Sequence, residues 1–369
     1  MAEFFGRDIF KLGFGLMRLP KDADGVIDVA ETAEMVDRFI EAGGNYFDTA
    51  FVYNGSEEAI RKALVERYPR ESYMLASKMM AFDRGEEAVK EEIYTSLERT
   101  GAQYFDFYLL HALQRSNIDN YNKYGLWDYV KELKAKGLIR HYGFSFHSDP
   151  ELLEQILTDH PDMEFVQLQI NYADWENPGV ASRKNLEICR KHGKPVIVME
   201  PVKGGILADP IASVKAIFDQ EKNGLSYAGW AVRFVASQPG VMVVLSGMSS
   251  LAQMEDNLSY MRDFKPLDAR EEEVIRAAQE ALNAYKAIPC TGCHYCTEGC
   301  PMNIPIPEIF TVANRKEGSP EFRTRREYTI VTQGRGRASD CIQCGQCEAA
   351  CPQHLPIIEL LESCREFEE

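Results

Sequence analysis

Eight of the ten cysteines fall into two copies of one spacing. The first is Cys290, Cys293, Cys296 and Cys300, followed by Pro301. The second is Cys341, Cys344, Cys347 and Cys351, followed by Pro352. A tight Cys-x2-Cys-x2-Cys loop presents three thiolates to one [4Fe–4S] cubane, and the fourth thiolate, the one before proline, typically reaches the other cluster. The spacing therefore predicts two [4Fe–4S] clusters. One is held by Cys290, Cys293, Cys296 and Cys351, the other by Cys341, Cys344, Cys347 and Cys300. The proline suits a first helical turn, where a missing N–H costs nothing. Zinc usually takes its ligands as two separated pairs, which a duplicated triplet-plus-one does not match. Disulfides belong to oxidising compartments, and MAEFFGRDIFKLGFG at the N-terminus lacks the layout of a signal peptide. A reducing cytoplasm is the expected location. Cys189 and Cys364 stand alone and read as buried, inert thiols.

The rest of the chain must supply or consume the electrons. From about residue 10 to about residue 260, short apolar runs alternate with longer amphipathic ones. The strand candidates are Leu12–Met17, Asn45–Thr49, Tyr73–Ser77, Phe105–Leu110, Ile139–Ser145, Phe165–Ile170, Pro195–Met199 and Val241–Leu245. Continuous apolar runs of this length fit parallel strands covered on both faces. Helical patterns separate them, with Ser56 and Asp149 as candidate caps. Strand then helix, eight times over, predicts an α/β fold, a (β/α)8 barrel. A doubly wound sheet would carry a Gly-rich first turn, and no GxGxxG follows the first strand.

In such a barrel, function gathers at the C-terminal ends of the strands. The second strand ends at Asp48, with Tyr53 just beyond; the third ends at Lys78 and the fourth at His111. Tyrosine is a poor acid at its free pKa near 10. A nearby ammonium is expected to lower that value, and Asp48 to hold the ammonium in place. Tyr53 then becomes a general acid for a carbonyl oxygen, with His111 orienting the carbonyl or sharing the proton. Taken singly, each residue has a plainer reading as a cap, a surface charge or a core histidine.

These residues carry a family resemblance. Phe47-Asp48-Thr49-Ala50-x2-Tyr53, Ser77-Lys78 and Leu109-Leu110-His111 resemble the aldo/keto reductases over about residues 5–260. The resemblance implies the catalytic tetrad Asp48, Tyr53, Lys78 and His111, with NAD(P)H as hydride donor. It implies Ser145 and Gln169 as partners of the nicotinamide carboxamide. Gly204 and Gly205 suit close approach of a pyrophosphate, with Lys203 adding charge. Ser246, Gly247, Gln253 and Asn257 fall on the adenosine side. Three positions depart from the family pattern. Phe146 stands where Asn is usual, Met199 near the place of a stacking aromatic, and Ser249 where a basic residue meets a 2′-phosphate. The last leaves NAD and NADP both open. The whole architecture resembles aldo/keto reductase-like proteins that end in a small, mainly α-helical, ferredoxin-like 4Fe–4S dicluster domain.

The expected organisation is a barrel over residues 1–265, a linking helix over 266–286 and the dicluster domain over 287–369. Between the cysteine motifs, 304–316 and 320–330 read as helices, punctuated at 318–320 and 334–336. Hydrophobic residues make up 45% and charged residues 27% of the 369, an ordinary globular balance. No apolar run approaches a membrane span. The formal net charge of −16 argues against nucleic-acid binding. Arg323, Arg325, Arg326, Arg335 and Arg337 read as a solvated helical face, or as a dock for an acidic redox protein. Tyr121, Tyr124, Tyr172 and Trp175 line the barrel mouth or pack in its interior.

A hydride carries two electrons and a cubane takes one, so the two halves pose a problem. Three arrangements solve it. A substrate or a bound flavin splits the pair and the clusters relay single electrons to a partner. Alternatively, carbonyl or alcohol chemistry runs alone and the clusters serve docking, sensing or stability. In the third, the barrel binds a ligand or flavin without hydride chemistry, and the chain is a ferredoxin-like carrier. The intact Asp48, Tyr53, Lys78 and His111 set favours a reductase coupled to the clusters.

Overall fold

The computed structural model describes residues 2–81, 85–284, 287–314, 316 and 321–368. The expected helix ends at Lys286 and Pro320, residue Arg315, and the 318–320 break lie outside the described residues. The chain divides into two compact units. One is Met1–Val202 with Leu207–Gln279; the other is Lys203–Ile206 with Glu280–Glu369.

The first unit is a closed barrel of eight parallel strands. A short antiparallel hairpin precedes it, β1 (Ala2–Phe4) and β2 (Arg7–Ile9). The barrel strands are β3 (Leu12–Gly15), β4 (Tyr46–Asp48), β5 (Met74–Met79), β6 (Phe105–Leu113), β7 (Ile139–Phe146), β8 (Phe165–Gln169), β9 (Val196–Met199) and β10 (Val241–Ser246). They pair in sequence order, and β10 closes on β3. Each coincides with an expected strand to within a few residues. Nearly every strand residue is buried, which is why the runs read as continuous rather than alternating. The barrel is tightly filled. A Cβ on Gly13 would lie 2.7 Å from both Leu245 and Val243.

The hairpin was not legible in the sequence. It plugs the N-terminal end of the barrel. Phe5, at φ 55°, places its ring 5.7 Å from Phe107 and 4.4 Å from the His141 ring. Nearby, buried Asp106 is ringed by Arg70 at 2.6 Å and by Arg7 and Arg140 at 3.4 Å.

Helices cover the outside and fix the strand ends. Asp149 caps Pro150–Asp159 as expected, accepting from the Leu152 N–H at 3.0 Å. Ser56 is not a cap. Gly55, at φ 74°, takes that position, and the Ser56 hydroxyl bonds Thr49 Oγ1 at 2.8 Å and the Leu16 carbonyl at 3.0 Å. That helix turns into a π-helical segment, Arg61–Val65. The helix expected to link the two parts runs Ala269–Asn283 and belongs through Gln279 to the first unit. Arg233 grips Glu271 at 2.5 and 2.9 Å, and Gln279 donates to the Tyr172 carbonyl at 2.9 Å.

The second unit is built of short helices around an apolar core that includes Ile304, Ile309, Phe310, Tyr328, Ile357 and Leu361. Its two halves repeat. Tyr295–Glu298 and Ile306–Asn314 in the first copy match Gln346–Ala350 and Ile357–Cys364 in the second. Left-handed backbone recurs at the same motif positions: Gly292 and Gln343, His294 and Gly345, Asn303 and His354. Five of these six are Gly, Asn or His, the residues that enter this region most readily, and Gln343 is the exception. Among the described residues, no helix is long and apolar enough to cross a membrane.

Candidate active site and cluster centre

At the C-terminal rim of the barrel, successive strands bring the four expected residues together. Lys78, only 1% exposed, donates to Asp48 and to the Thr49 carbonyl, the latter at 2.6 Å. Gln167 approaches the other Asp48 oxygen at 3.5 Å. Lys78 Nζ lies 4.8 Å from the centroid of the Tyr53 ring. The Tyr53 and His111 rings meet edge to face at 5.9 Å.

The electrostatics follow from burial. Desolvation lifts the Asp48 carboxyl above its ordinary value and drops Lys78 below its own; their mutual attraction offsets part of both shifts. Burial holds the His111 imidazole well below 6.5, reinforced by the Lys78 charge and by His147. His111 is therefore neutral, and its Nδ1 is buried without a hydrogen-bond partner among the described residues. The Tyr53 phenol shifts upward, contrary to the expectation from Lys78 alone. Burial is the main cause, with the Asp48 and Glu200 charges adding to it and Arg18 opposing. Lys78 spends its charge on Asp48.

The strand that carries His111 is irregular just there. The β6–β7 register shifts between Leu110 and Leu113, and Ala112 sits at φ 54°. The Ala112 N–H donates to Ser145 Oγ at 2.7 Å. Tyr121 donates to the His111 carbonyl and accepts from the Ala81 N–H. Tyr121, Tyr124 and Tyr172 are buried, so these three aromatics are interior packing.

The expected nucleotide contacts divide into two groups. Ser145 accepts from Ala112 and keeps its own proton to donate. Gln169 donates to Asp174 at 3.2 Å, leaving its carbonyl to accept. Ser246 ends β10, and a Cβ added to Gly247 would meet nothing closer than 4.0 Å. Asn257 Oδ1 is buried with no hydrogen-bond partner among the described residues. Gln253 is engaged by the Ser249 N–H at 2.8 Å, and Ser249 Oγ donates to the Arg18 carbonyl at 2.7 Å. These positions fit a nucleotide along the β7, β8 and β10 ends. Lys203, Gly204 and Gly205 group with the second unit. Lys203 Nζ donates to Gln353 Oε1 at 3.1 Å. Gly204, at φ 65°, faces Thr291, whose carbonyl oxygen would stand 2.3 Å from any Cβ there. That approach by itself requires a glycine here. Arg18, beside Ser249 and felt by Tyr53, is a basic residue that the sequence did not single out.

In the second unit the eight cysteines surround two cavities. Cys290, Cys293, Cys296 and Cys351 line one, with Thr291, Phe310, Gln353 and Ile357 among their neighbours. Cys300, Cys341, Cys344 and Cys347 line the other, with Met302, Ile304, Ile358 and Leu361. The grouping is the crossed one that the motif spacing implies. The two hollows are of nearly equal size. Among the described residues, no three His, Cys, Asp or Glu side chains converge on a single metal ion. Burial pushes the Cys290 and Cys347 thiols up to about 11 and raises Cys296 further. Buried thiolates are thus costly unless a cationic centre shares their charge, and iron offers that. Cys189 and Cys364 are buried away from both cavities, and burial raises their thiols too.

The family model for aldo/keto reductases matches residues 11–280. The chain belongs to the aldo/keto reductase family. A model for the 4Fe-4S dicluster domain matches residues 289–355, so this aldo/keto reductase is an oxidoreductase that carries such a domain. It is 25% identical to an uncharacterized oxidoreductase, YqkF, of Bacillus subtilis over 76% of this chain and 95% of that one. It is 24% identical to L-galactose dehydrogenase of Arabidopsis thaliana over 76% and 93%. Among solved structures, aldo-keto reductase AKR11C1 from Bacillus halodurans in its holo form superposes with a TM-score of 0.59 at 25% identity, covering 74% of this reductase and 93% of the other. An aldo-keto reductase from Klebsiella pneumoniae in complex with NADPH shares the fold, with a TM-score of 0.57 at 22% identity over 73% and 92%.

Proposed function

We propose that this protein is an NAD(P)H-linked oxidoreductase that interconverts a carbonyl and an alcohol, coupled to electron transfer through two [4Fe–4S] clusters. The observation that carries the reading is the meeting of Tyr53, Lys78, Asp48 and His111 at one rim. Ser145, Gln169, Ser246, Gly247 and Asn257 are the residues that would hold the nucleotide, with Arg18 in place of the basic residue missing at Ser249. Bound there, the nicotinamide supplies a hydride. Tyr53 donates the proton from its phenolic oxygen to the carbonyl oxygen. Lys78 fixes a positive field beneath that oxygen, and Asp48 fixes Lys78. His111, neutral, orients the carbonyl by hydrogen bonding without competing as an acid.

The cysteines bind clusters in the crossed pairing described above, which supplies one-electron capacity. Joining two-electron to one-electron chemistry needs a group that splits the pair, and a bound flavin or the substrate would fill that role. A protein acceptor then takes the single electrons, and thiolate-held iron suits a cytoplasmic location.

Tyr53→Phe tests the reading. With NADPH and a panel of aldehydes including para-nitrobenzaldehyde, the variant is expected to lose carbonyl reduction. It should still bind nucleotide and take electrons from dithionite into its clusters. Full turnover in Tyr53→Phe would refute the assignment.

A further inference from the structure

The two cysteine-lined cavities are related by the internal repeat, yet they differ at one matched position. Counting from the Cys-Pro that closes each motif, Gln353 in the second copy corresponds to Met302 in the first. Because the fourth cysteine crosses over, Gln353 lines the cavity of Cys290, Cys293, Cys296 and Cys351, while Met302 lines the other. Gln353 is 92% buried, and its Oε1 is taken by Lys203 Nζ at 3.1 Å. Its Nε2 is buried with no hydrogen-bond partner among the described residues. A buried amide whose N–H has no acceptor is costly. Here it borders a cavity lined by four sulfurs. Lys203 is itself 4% exposed. Its position is built, because the following Gly204 packs so closely on Thr291 that no side chain fits.

We infer that Lys203 and Gln353 form a relay that raises the reduction potential of the cluster at Cys290, Cys293, Cys296 and Cys351, making the two clusters electronically inequivalent. This rests on the cluster assignment proposed above. The physical reason is direct. Reduction adds negative charge to the cluster. A hydrogen bond from Gln353 Nε2 to sulfur and a buried ammonium behind it both favour the reduced state. The ammonium also polarises the amide, strengthening its N–H as a donor. At the other cavity, Met302 at the matched position offers neither a donor nor a charge, and the two amides that also line it, Gln343 and Gln346, are exposed to solvent rather than buried. The loop that carries Lys203 leaves the seventh barrel strand only a few residues earlier, at Met199. On this reading Lys203, expected from the sequence at a phosphate, serves the clusters.

The test uses the full chain, purified and reconstituted without oxygen. Iron and sulfide analysis of the wild type comes first. A full complement for two clusters supports the underlying assignment, and its absence overturns both that assignment and the relay. Lys203→Met and Gln353→Met are then titrated with dithionite while the EPR and visible spectra are followed. Each variant is expected to shift one of the two midpoints to more negative potential and leave the other in place. The pair of substitutions together is expected to shift that midpoint further than either alone, since the hydrogen bond and the charge both favour the reduced state. Lys203→Arg, which keeps the charge and a donor, is expected to restore most of the wild-type midpoint. If Lys203→Met fails to load iron, Gln353→Met and Lys203→Arg carry the comparison. Unchanged midpoints in Gln353→Met protein that holds both clusters would overturn the relay while leaving the cluster assignment standing. So would an equal shift of both midpoints.

Discussion

Lys78 holds its ammonium 4.8 Å from the centre of the Tyr53 ring while giving its hydrogen bonds to Asp48 and Thr49. The cation therefore lies over the ring of the phenol. In the protein alone this leaves burial to decide the acidity of Tyr53, and burial keeps the proton on. The proposed general acid is loaded before a carbonyl arrives.

Removing that proton source has a definite size. Tyr53→Phe is expected to lower kcat for carbonyl reduction by ~10²–10⁴-fold, the range for a positioned general acid. Steady-state assays with NADPH and para-nitrobenzaldehyde measure it, and equilibrium nucleotide binding should be unchanged.

The Asp48–Lys78 pair is fully enclosed, so its members depend on each other. Lys78→Met leaves a buried, unpaired carboxylate and is expected to cost about 3–5 kcal/mol of barrel stability. The double variant Asp48→Leu with Lys78→Met removes both charges and should recover most of that loss, though not activity. Denaturant unfolding followed by far-UV circular dichroism makes the comparison. Equal losses in the single and double variants would contradict the pairing.

The pH profile follows from two directions of shift. Tyr53 is raised, so its acidic form persists as pH climbs and is lost only above the ordinary tyrosine value near 10. His111 is lowered well below 6.5, so it stays neutral as pH falls through that value. Reduction, measured as kcat/KM, is therefore expected to be flat from about pH 6 to about pH 9. An inflection near 6.5 that disappears in His111→Gln would show that the imidazole titrates in the free enzyme and contradict this account.

Gly204 separates close packing from backbone freedom. Gly204→Ala forces a Cβ to within 2.3 Å of the Thr291 carbonyl at φ 65°, whereas Gly205, at φ 101°, has nothing within 4 Å. Gly205→Ala carries backbone strain alone, on the order of 1–3 kcal/mol. Gly204→Ala should cost more and speed thermal bleaching of the cluster absorbance. Equal bleaching rates in the two variants would contradict the packing argument.

The cysteines offer the plainest contrast. Cys344→Ser removes one lining thiol of one cavity and is expected to lower iron content by roughly half, following the four-thiolate rule for such clusters. Cys189→Ser alters a buried thiol outside both cavities and should leave iron unchanged. Iron analysis after anaerobic desalting reads both.

Much of this was legible in the sequence, for physical reasons that apply residue by residue. The eight barrel strands announce themselves as apolar runs because both faces are covered. Asp48, Lys78 and His111 were found because they terminate those runs. The crossed cysteine grouping follows from spacing alone. What escaped notice was non-local or conformational. The hairpin before the barrel is three residues a side, too short for any periodicity, and only its contacts with Phe107 and His141 show its purpose. Ser56 has the chemistry of a cap, but Gly55 reaches a left-handed backbone more cheaply. The hydrogen bond from Lys203 to Gln353, 150 residues away, leaves no local signal in the sequence. The upward shift of Tyr53 depends on how completely its neighbourhood excludes water, which no spacing rule reports.

The coupling of barrel to clusters is the claim most worth confronting directly. The full chain, reconstituted without oxygen, would be mixed with NADPH and then with NADH while visible and EPR spectra are recorded, with dithionite as the reference reductant. The account predicts that one of the nucleotides bleaches the cluster absorbance and produces a reduced-cluster EPR signal. Nucleotide binding with no spectral change, in protein whose clusters dithionite does reduce, would contradict it.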